Sequence, residues 1–330
     1  MRILVTGGAG YVGSHCVRAL CDADHEVVVF DNLTAGYPQA VDGRAAFVKG
    51  DLADAGQLEG VFAGGGFEAV MHFAALADVG ESVREPLRYY ENNLVSSLRL
   101  VETMKRHEVR NIVFSSSCAV YGVPPEVPIT EDAPKVPISP YGRSKVAIEW
   151  VIQDCARAWG LAGTALRYFN AAGAASDGTI GEAHQPEGHL IPCLLQVALG
   201  QADHVRIFGT DYPTSDGTCI RDYVHVEDLA SIHRLAVESQ KTSRFRAYNV
   251  GTGRGTSVQE LLEAARRITG SLIRSVPVAR RAGDPPALFA DTSKAERELG
   301  WRARFTDIGS IVESAWKWHR THPNGFEEVG

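Results

Sequence analysis

The sequence lacks three features that would each place it in a different class of protein. It has no long apolar run, no cluster of basic residues interleaved with aromatics, and no charged leader followed by an apolar stretch. A membrane-spanning segment and a secretory signal are therefore not expected. The net charge of −7 and the isoelectric point of about 5.9 argue against general binding to nucleic acids or anionic membranes.

Cysteine is also sparse, and its spacing does not indicate a metal site. The chain contains no CxxC pair and no CxxH pattern. We therefore predict free thiols in a reducing, cytoplasmic compartment, with neither disulfides nor a metal centre. The six positions are Cys16, Cys21, Cys118, Cys155, Cys193 and Cys219.

The chain is rich enough in hydrophobic residues for a large core. Of its 330 residues, 45% are hydrophobic, and the length predicts about two domains. Short apolar segments alternate with helical patterns up to about residue 170, which predicts an α/β fold with a doubly wound parallel Rossmann sheet. A second, smaller α/β substrate domain is expected after that point. We assign residues 1–170 and about 221–250 to the domain of the large sheet, and residues 171–220 and 251–330 to the smaller domain.

A glycine turn follows the first predicted strand. Gly7, Gly10 and Gly13 lie between that strand and a helical segment. In a dinucleotide-binding turn the first glycine permits a tight bend, the second lets backbone N–H groups approach a pyrophosphate, and the third allows close helix packing. Asp31 ends the next strand. A carboxylate there accepts ribose hydroxyls and repels a 2′-phosphate, so the pattern predicts NAD rather than NADP.

Two further strand ends carry residues suited to a cofactor. Asp51 is placed either to hydrogen-bond an adenine amino group or to cap the following helix, and both roles stay open. Ala74 and Ala75 follow the fourth predicted strand, where small residues fit a backbone lying against a cofactor. His72, inside that strand, is interpreted as a core histidine with its hydrogen bonds satisfied.

A run of serines, residues 115–117, follows the fifth predicted strand. Because ligands bind at the carboxyl ends of strands in open α/β sheets, Ser117 is a candidate for substrate contact. Pro140 then starts a helical segment on which Tyr141 and Lys145 share a face. Lowering a phenol pKa from about 10 by about three units takes about 4 kcal/mol, and we predict that Lys145 and a cationic cofactor supply it.

The second half of the chain carries arginines near predicted loops: Arg206, Arg221, Arg280 and Arg281. Guanidinium groups match phosphate geometry, so one or two of them predict a diphosphate site, although each alone also suits a solvated surface. Phe208, in a short predicted strand, suits either stacking on a base or packing in the core.

Together these motifs resemble the extended short-chain dehydrogenase/reductase family, and within it the UDP-galactose (UDP-glucose) 4-epimerases. The resemblance covers nearly the whole chain. It rests on the segments MRILVTGGAGYVGSH, VFDNL, GDL, HFAAL, FSSSCAVYG, SPYGRSK, LRYFNAAGA, FGTDYPTSDGTCIRDYVHV and RRAGDPPA. The TGGAGYVG turn indicates the superfamily, whereas DYPTSDGTCIRDYVHVEDLA indicates the epimerase branch.

The resemblance implies a full set of site residues. The implied NAD contacts are Gly7, Gly10, Tyr11, Val12, Gly13, Asp31, Asn32, Asp51, Leu52, Phe73, Ala74, Ala75, Asn92, Ser115, Tyr141, Lys145 and Tyr168. The implied catalytic residues are Tyr141, Lys145 and Ser117. The implied substrate contacts are Ser117, Tyr141, Asn170, His189, Leu190, Arg206, Phe208, Arg221, Arg281, Asp284 and Leu288.

The resemblance also implies an activity: reversible C4 epimerisation of UDP-galactose and UDP-glucose through a transient 4-keto sugar, with tightly bound NAD. Tyr141 would take the proton of the sugar 4-hydroxyl, and Ser117 would hydrogen-bond or relay at the same oxygen. The family's dimer interface lies on helices near residues 86–107 and 140–159, so a homodimer is expected.

Three positions depart from the family pattern. Ala77 stands where many members have lysine, which removes one cofactor contact. His189 replaces a commoner asparagine, as in a bacterial subset. Leu288 replaces a bulky tyrosine found in members restricted to glucose and galactose, so we hypothesise that UDP-N-acetylhexosamines are also accepted.

The same fold also supports other functions. Another UDP-sugar 4-epimerase, acting on UDP-N-acetylglucosamine or a UDP-pentose, stays an alternative. Sugar-nucleotide dehydratases and decarboxylases place an acid after the serine strand, where this chain has Cys118 and Ala119. A non-catalytic NAD-sensing regulator is disfavoured, because such proteins typically lose the tyrosine–lysine pair that is kept here.

Overall fold

The computed structural model describes residues 1–239, 242–281 and 283–326. Within these ranges, the largest sheet contains seven strands: β1 (Arg2–Thr6), β2 (Glu26–Asp31), β3 (Ala46–Lys49), β4 (Ala69–His72), β5 (Asn111–Ser117), β6 (Ala162–Tyr168) and β11 (Phe245–Val250). All neighbours pair in parallel, in the order β11-β6-β5-β4-β1-β2-β3. The predicted doubly wound parallel sheet is confirmed, including the return of the chain to this sheet near residue 247.

The remaining strands are short: β7 (Asn170–Ala172), β8 (Val205–Phe208), β9 (Ile220–Arg221), β10 (Tyr223–His225), β12 (Thr256–Ser257), β13 (Ser275–Val278) and β14 (Ala287–Leu288). They form small sheets in which β7 pairs with β10, β8 pairs with β13, and β9 lies between β12 and β14. The segment after Asn170, predicted as a loop, therefore begins with a strand that pairs in parallel with β10.

The helices are α1 (Tyr11–Cys21), α2 (Ala55–Ala63), α3 (Val79–Arg84), α4 (Pro86–Tyr89), α5 (Ser96–Arg106), α6 (Pro140–Trp159), α7 (Leu190–Ala198), α8 (Val226–Glu238), α9 (Val258–Thr269), α10 (Ser293–Leu299) and α11 (Ile308–Thr321). The sequence chemistry explains the start of α6. Pro140 is its first residue and the Ser139 hydroxyl accepts the Gly142 N–H at 3.1 Å. Gly160, with φ of +79°, ends it.

The sequence pattern predicts a long helix from Pro86 to about His107, and this prediction is wrong in detail. A π-helical turn, Tyr90–Val95, separates α4 from α5. The extra residue in this turn is accompanied by a side-chain bridge: Asn93 Oδ1 accepts the Leu76 N–H at 2.9 Å, and Asn93 Nδ2 donates to the Leu76 carbonyl at 3.0 Å. Such turns occur frequently at functional sites.

Two hydrophobic clusters cover the faces of the large sheet, and a third lies apart from it. The third cluster joins α7, α9 and α11 through residues such as Leu195, Leu261 and Val312. All six cysteines lie among the described residues and are free, as predicted. No helix in the described part of the chain is long and apolar enough to cross a membrane.

Candidate active site

The glycine turn between β1 and α1 has the geometry that its sequence predicts. Gly7 has φ of +75°, and a Cβ there would lie 2.4 Å from the Ala74 nitrogen. A Cβ on Gly13 would lie 2.2 Å from the Gly7 carbonyl oxygen, so α1 packs directly on the turn. Gly10 differs, because its Cβ would meet the Gly7 oxygen at an acceptable 3.4 Å.

The start of α1 offers backbone groups suited to a pyrophosphate. Gly10 precedes α1 and provides no side-chain cap, so the first N–H groups of the helix point outward with the positive end of its dipole. A helix start of this kind is suited to binding an anionic group through its backbone. The residues present therefore fit the dinucleotide that the sequence predicts.

Asp31 holds the turn and ends β2. Its carboxylate accepts the Ala9 N–H at 3.0 Å and the Leu33 N–H at 2.8 Å. Burial raises the pKa of Asp31, while these backbone hydrogen bonds lower it. Each oxygen retains a free lone pair, so the group can also accept ribose hydroxyls.

Asn32 and Asp51 meet at the ends of neighbouring strands, where Asn32 Nδ2 donates to Asp51 Oδ2 at 2.9 Å. The other Asp51 oxygen accepts the Ala53 N–H. The idea that Asp51 caps the next helix is wrong, because Asp54 is the N-cap of α2 and accepts from Gly56 and Gln57. Asp51 therefore points toward Asn32 and leaves the capping to a residue three positions later.

The other predicted cofactor residues lie around the same strand ends. Leu52 is buried, and Val12, Phe73 and Ala74 pack partly buried against the two cores of the large sheet. Tyr11 donates its hydroxyl hydrogen to the Gly173 carbonyl at 2.6 Å. Asn92 donates to Asn93 Oδ1 at 2.9 Å and thereby joins the π-helical turn.

His72 is a core histidine, as interpreted from the sequence. Its ring nitrogens hydrogen-bond to the hydroxyls of Thr6 and Ser97, each at 2.7 Å. Burial, followed by the charge of Lys145, lowers the pKa of His72 to about 3. The side chain is therefore neutral and held from both sides.

Tyr141, Lys145 and Ser117 come together at the carboxyl end of β5. All three are buried, and the Lys145 Nζ lies 5.6 Å from the Tyr141 ring centroid. Lys145 donates to the Ser115 carbonyl at 2.9 Å, and Ser115 donates its hydroxyl hydrogen to the Tyr168 hydroxyl at 3.0 Å. The Ser117 hydroxyl hydrogen-bonds with the Tyr141 phenol.

Burial dominates the proton affinities of this group. It lowers the pKa of Lys145 from 10.5 to about 7, although the carboxylate of Glu149 raises it in part. Burial and then the nearby Tyr168 raise the pKa of Tyr141 above its ordinary value, while the hydrogen bond from Ser117 lowers it. In the protein alone Lys145 does not bring the Tyr141 pKa toward neutrality, so the second contributor predicted from the sequence, a cofactor cation, has to act with it.

Sequence reasoning missed the buried network behind these residues. Glu149 lies one helical turn beyond Lys145 and accepts from Arg167 on β6, with Nε–Oε1 and Nη2–Oε2 distances of 2.9 and 2.7 Å. Ser116 donates to the same carboxylate at 2.7 Å. Arg167 also donates to the Tyr121 hydroxyl at 2.8 Å. The available signal was the charge of Glu149 on the same face of the helix as Lys145.

Predicted substrate residues form two groups. In the first group Arg221, which is buried, donates to Asp284 at 2.6 Å. Leu288 pairs with Arg221 between parallel strands and packs with Cys118 in a small hydrophobic cluster, directly beyond Ser117. Asn170 begins β7, and its backbone N–H donates to the Asp222 carbonyl. This first group therefore lies next to Ser117, one of the predicted catalytic residues.

The second group lies at β8. The guanidinium carbons of Arg281 and Arg206 lie 4.1 and 5.5 Å from the Phe208 ring centroid. Arg280, in contrast, pairs with Asp211 at 2.7 Å and belongs to neither group. Ala282 lies outside the described residues.

His189 and Leu190 begin α7, with His189 as the N-cap and Leu190 packed partly buried against the third core. The His189 ring hydrogen-bonds to the carboxylate of Glu182. Attraction by that carboxylate raises the pKa of His189 to about 9, against the effect of burial. The ring is therefore engaged with Glu182, an arrangement that the sequence did not predict.

A doubly wound parallel sheet, an open glycine turn, a strand-end aspartate and a buried Tyr–Lys–Ser group define a dinucleotide-dependent enzyme of the short-chain dehydrogenase/reductase class. Residues 3–251 match the model of the NAD dependent epimerase/dehydratase family. The chain belongs to that family.

Known proteins similar to this chain extend over its full length. A UDP-glucose 4-epimerase of Halalkalibacterium halodurans is 48% identical over 327 residues, covering 99% of this chain and 98% of the relative. The structure of a Bifidobacterium longum UDP-glucose 4-epimerase in complex with NAD+ and UDP matches with a TM-score of 0.94 at 39% identity. The match covers 99% of this chain and 100% of the Bifidobacterium chain. A Brucella ovis UDP-glucose 4-epimerase in complex with NAD matches with a TM-score of 0.92 at 46% identity, covering 95% and 97%.

Proposed function

We propose that this protein is an NAD-dependent isomerase that interconverts UDP-galactose and UDP-glucose at C4 of the sugar. The observation that carries the proposal is the buried Tyr141–Lys145–Ser117 group at the carboxyl end of β5, on the same sheet edge as the glycine turn. Full-length similarity to UDP-glucose 4-epimerases, at 48% identity, supports the same activity.

Different residues of the site bind different parts of the cofactor. The N–H groups at the start of α1 bind the pyrophosphate, and Asp31 accepts the adenosine ribose hydroxyls. Asn32 and Asp51 hold the adenine end, and Tyr168 with Lys145 holds the nicotinamide end. The chemistry supplied by bound NAD is a reversible oxidation at C4, which leaves the cofactor unchanged after each cycle.

Tyr141 moves the proton at the sugar 4-oxygen. Its phenol is buried, and a phenolate forms there when positive charge compensates for the loss of water. Lys145, held at the Ser115 carbonyl, supplies part of that charge. Ser117 hydrogen-bonds to the Tyr141 phenol, so its hydroxyl lies within reach of the same sugar oxygen and orients it.

The substrate residues hold the UDP group while the sugar turns and presents its other face to the cofactor. Arg281 and Arg206, whose guanidinium groups lie over the Phe208 ring, bind the diphosphate, and Phe208 offers an aromatic surface to the uracil. Arg221 and Asp284, which are joined by an ion pair, form the opposite side of the substrate site. Asn170, Leu190 and Leu288 complete the sugar side. His189 contributes indirectly, because it is the N-cap of α7 and thereby positions Leu190.

UDP-N-acetylhexosamines form a second candidate substrate class. Leu288 and Cys118, the residue after Ser117, pack against the same small hydrophobic cluster, which supports a place for Leu288 beside the sugar. Leucine leaves more room there than a tyrosine. UDP-pentoses, which carry less bulk than hexoses, meet no barrier at this position.

The chain is proposed to divide into two domains that share part of their packing. Residues 1–170 with about 221–250 form the NAD-binding domain, and residues 171–220 with 251–330 form the UDP-sugar-binding domain. Segments of the substrate part pack back on the large sheet, since Ala295 and Trp301 belong to one of its cores. A cytoplasmic location accords with the six free thiols.

A homodimer is proposed through the neighbouring helices α3 to α6. Apolar side chains are exposed on all four: Val83, Leu87, Leu98 and Trp150 have relative exposures of 62%, 82%, 42% and 56%. A second copy of this face would bury them. Leu87→Glu should shift the protein to monomer in sedimentation analysis, whereas Leu272→Glu, at an exposed leucine elsewhere, should not.

The activity is tested by mixing purified protein with UDP-galactose, without added NAD, and measuring UDP-glucose. Conversion is expected, because the proposed reaction leaves NAD unchanged after each cycle and NAD is expected to stay tightly bound to the purified protein. A second assay with NAD added separates loss of cofactor from lack of activity. No product in either assay would refute the proposed function.

A further inference from the structure

Two glutamates and two histidines come together ahead of α7, away from the Tyr141 group. The cluster consists of Glu182, His184, Glu187 and His189, and one potential ligand atom from each lies within 4.8 Å of all the others. We propose that these four side chains bind a divalent transition-metal ion, with Zn²⁺ as the favoured ion. The site would fasten the segment between the cofactor turn and α7.

The geometry matches a tetrahedral ion. His184 Nδ1 lies 3.0 Å from Glu182 Oε1 and 3.9 Å from Glu187 Oε2, while His189 Nδ1 contacts the same Glu182 oxygen. Zinc bonds of 2.0–2.2 Å to nitrogen and oxygen give a tetrahedron with edges of about 3.4 Å. The observed separations lie on both sides of that value, so small rotations of the side chains would complete the coordination.

The charges in the cluster call for a cation. The side chains of Glu182 and Glu187 are 4% and 5% exposed, so two carboxylates are enclosed close to each other. Buried carboxylates need paired or coordinated positive charge. The imidazoles provide it either by protonation or as neutral ligands of a divalent ion. Both rings turn Nδ1 inward to the carboxylates, an orientation that serves an ion pair and a shared ion alike, so a bound ion would replace the proton on His189 without moving the rings far.

The ligand chemistry selects the ion. Imidazole nitrogen suits zinc and its neighbours, whereas Mg²⁺ and Ca²⁺ prefer oxygen ligands throughout. Four protein ligands leave no open position, which is typical of a structural zinc site. The rings of His184 and His189 are 32% and 53% exposed, so an ion can reach the site from solvent.

The position of the cluster defines its effect. The Glu182 carbonyl accepts the Trp318 indole N–H at 3.1 Å, which attaches one end of the segment to α11. His184 contacts Tyr11 edge-on, at 6.2 Å between ring centroids, beside the glycine turn. His189 is the N-cap of α7. A bound ion would therefore connect three elements that enclose the cofactor and substrate regions.

Cysteine spacing gave no indication of this site, because its members are glutamates and histidines in the pattern ExHxxExH. The earlier expectation that the chain has no metal centre is revised by this proposal. The four ligands lie within eight consecutive residues, a spacing that suits a compact loop. Contacts with α11 and Tyr11 hold this loop in place.

The test uses the full-length protein after treatment with a chelator and removal of that chelator. Zn²⁺ is titrated against a chromophoric competitor, and Co²⁺ is titrated while visible absorption is recorded, since tetrahedral Co²⁺ absorbs strongly. We expect one equivalent of Zn²⁺ per chain, a tetrahedral Co²⁺ spectrum, a higher melting temperature with Zn²⁺, and no comparable effect of Mg²⁺.

His184→Gln is the principal variant and exposed His204→Gln is its matched control. His184→Gln should weaken Zn²⁺ binding at least tenfold and abolish the Zn²⁺-dependent rise in melting temperature, while His204→Gln should match the parent. Circular dichroism of each variant establishes folding, and the Co²⁺ spectrum of the parent is independent of any variant. Equal Zn²⁺ affinity in parent and His184→Gln, or an octahedral Co²⁺ spectrum in the parent, would overturn the proposal.

Discussion

Arg167 and Glu149 form a two-point ion pair between β6 and α6, with side chains only 3% and 2% exposed. The pair lies directly behind the catalytic helix face, because Glu149 is one turn beyond Lys145. Removing one partner leaves the other charge buried without compensation. The pair therefore fixes α6 on the sheet, and its integrity determines where Tyr141 and Lys145 lie.

Glu149→Gln should lower the free energy of unfolding by about 3–5 kcal/mol, because it leaves the Arg167 charge uncompensated. The double variant Glu149→Leu with Arg167→Met should recover part of that loss, since it removes both charges. Urea denaturation measures the free energy of unfolding of the parent, Glu149→Gln and the double variant. Arg157→Ala, in an exposed pair with Asp154, should cost less than about 1 kcal/mol. Equal losses in the single and double variants would contradict this account.

Tyr141→Phe should reduce turnover of UDP-galactose by about 10²–10⁴-fold, because it removes the group that moves the proton at the 4-oxygen. Bound NAD, measured after denaturation of the purified protein, should stay at the parent level. Tyr248→Phe is the control, since the Tyr248 hydroxyl, on β11, hydrogen-bonds to Glu298 of α10 and to no residue of the predicted site. Near-parental turnover in Tyr141→Phe would be incompatible with the proposed role.

Gly10→Ala and Gly13→Ala should separate cofactor binding from folding. A Cβ on Gly13 would lie 2.2 Å from the Gly7 oxygen, so Gly13→Ala should lower the melting temperature. A Cβ on Gly10 meets no protein atom closer than 3.4 Å, so Gly10→Ala should fold normally yet retain much less NAD. Unchanged NAD content in Gly10→Ala would place the pyrophosphate elsewhere.

Leu288→Tyr should narrow the substrate range. We expect the parent to convert UDP-N-acetylglucosamine and the variant to lose that conversion at least tenfold, by steric exclusion, while conversion of UDP-galactose persists. Leu272→Tyr, at a leucine that is 83% exposed, should leave both activities unchanged. If the parent converts UDP-galactose well and UDP-N-acetylglucosamine not at all, the idea of dual specificity is lost.

His72 should make the fold sensitive to acid. Its pKa is lowered by burial to about 3 in the folded protein, against about 6.5 when unfolded. Between these values the unfolded chain binds the extra proton, so the free energy of unfolding falls as the pH drops below about 6.5. The contribution approaches about 1.4 kcal/mol per pH unit.

Urea denaturation at several pH values between 7 and 4 measures this slope. His72→Gln should reduce it by about one proton relative to the parent, whereas His204→Gln should leave it unchanged. Equal slopes in His72→Gln and the parent would show that His72 titrates normally in the folded state.

Features encoded over short distances were predictable from the sequence. Hydrophobic runs and turn residues predicted the strands of the large sheet, the glycine turn and the helix that starts at Pro140. These features depend on local backbone preferences and on an apolar pattern that repeats along the chain. The place of Ser117 in a ligand site also followed from topology, because such sites gather at the carboxyl ends of parallel strands, whereas its association with Tyr141 followed from the family resemblance.

Features that depend on tertiary pairing of polar groups were missed. Glu149 lies on the Lys145 face of a predicted helix, but its partner Arg167, 18 positions away, is brought to it only by the packing of α6 against β6. His189 was expected to face substrate, yet its ring lies against Glu182 in a loop whose path depends on α11 and Tyr11. The π-helical turn at Asn93 likewise depends on a contact with Leu76, 17 residues away.

The position of β11 at the edge of the large sheet bears on how the protein is synthesised. A nascent chain that has reached residue 170 has produced six of the seven strands described for this sheet, and β6 then presents a row of unpaired backbone groups. Pairing is completed only when residues 245–250 leave the ribosome. The incomplete sheet is therefore exposed to aggregation during translation of the intervening 75 or so residues, at about 5–20 residues per second.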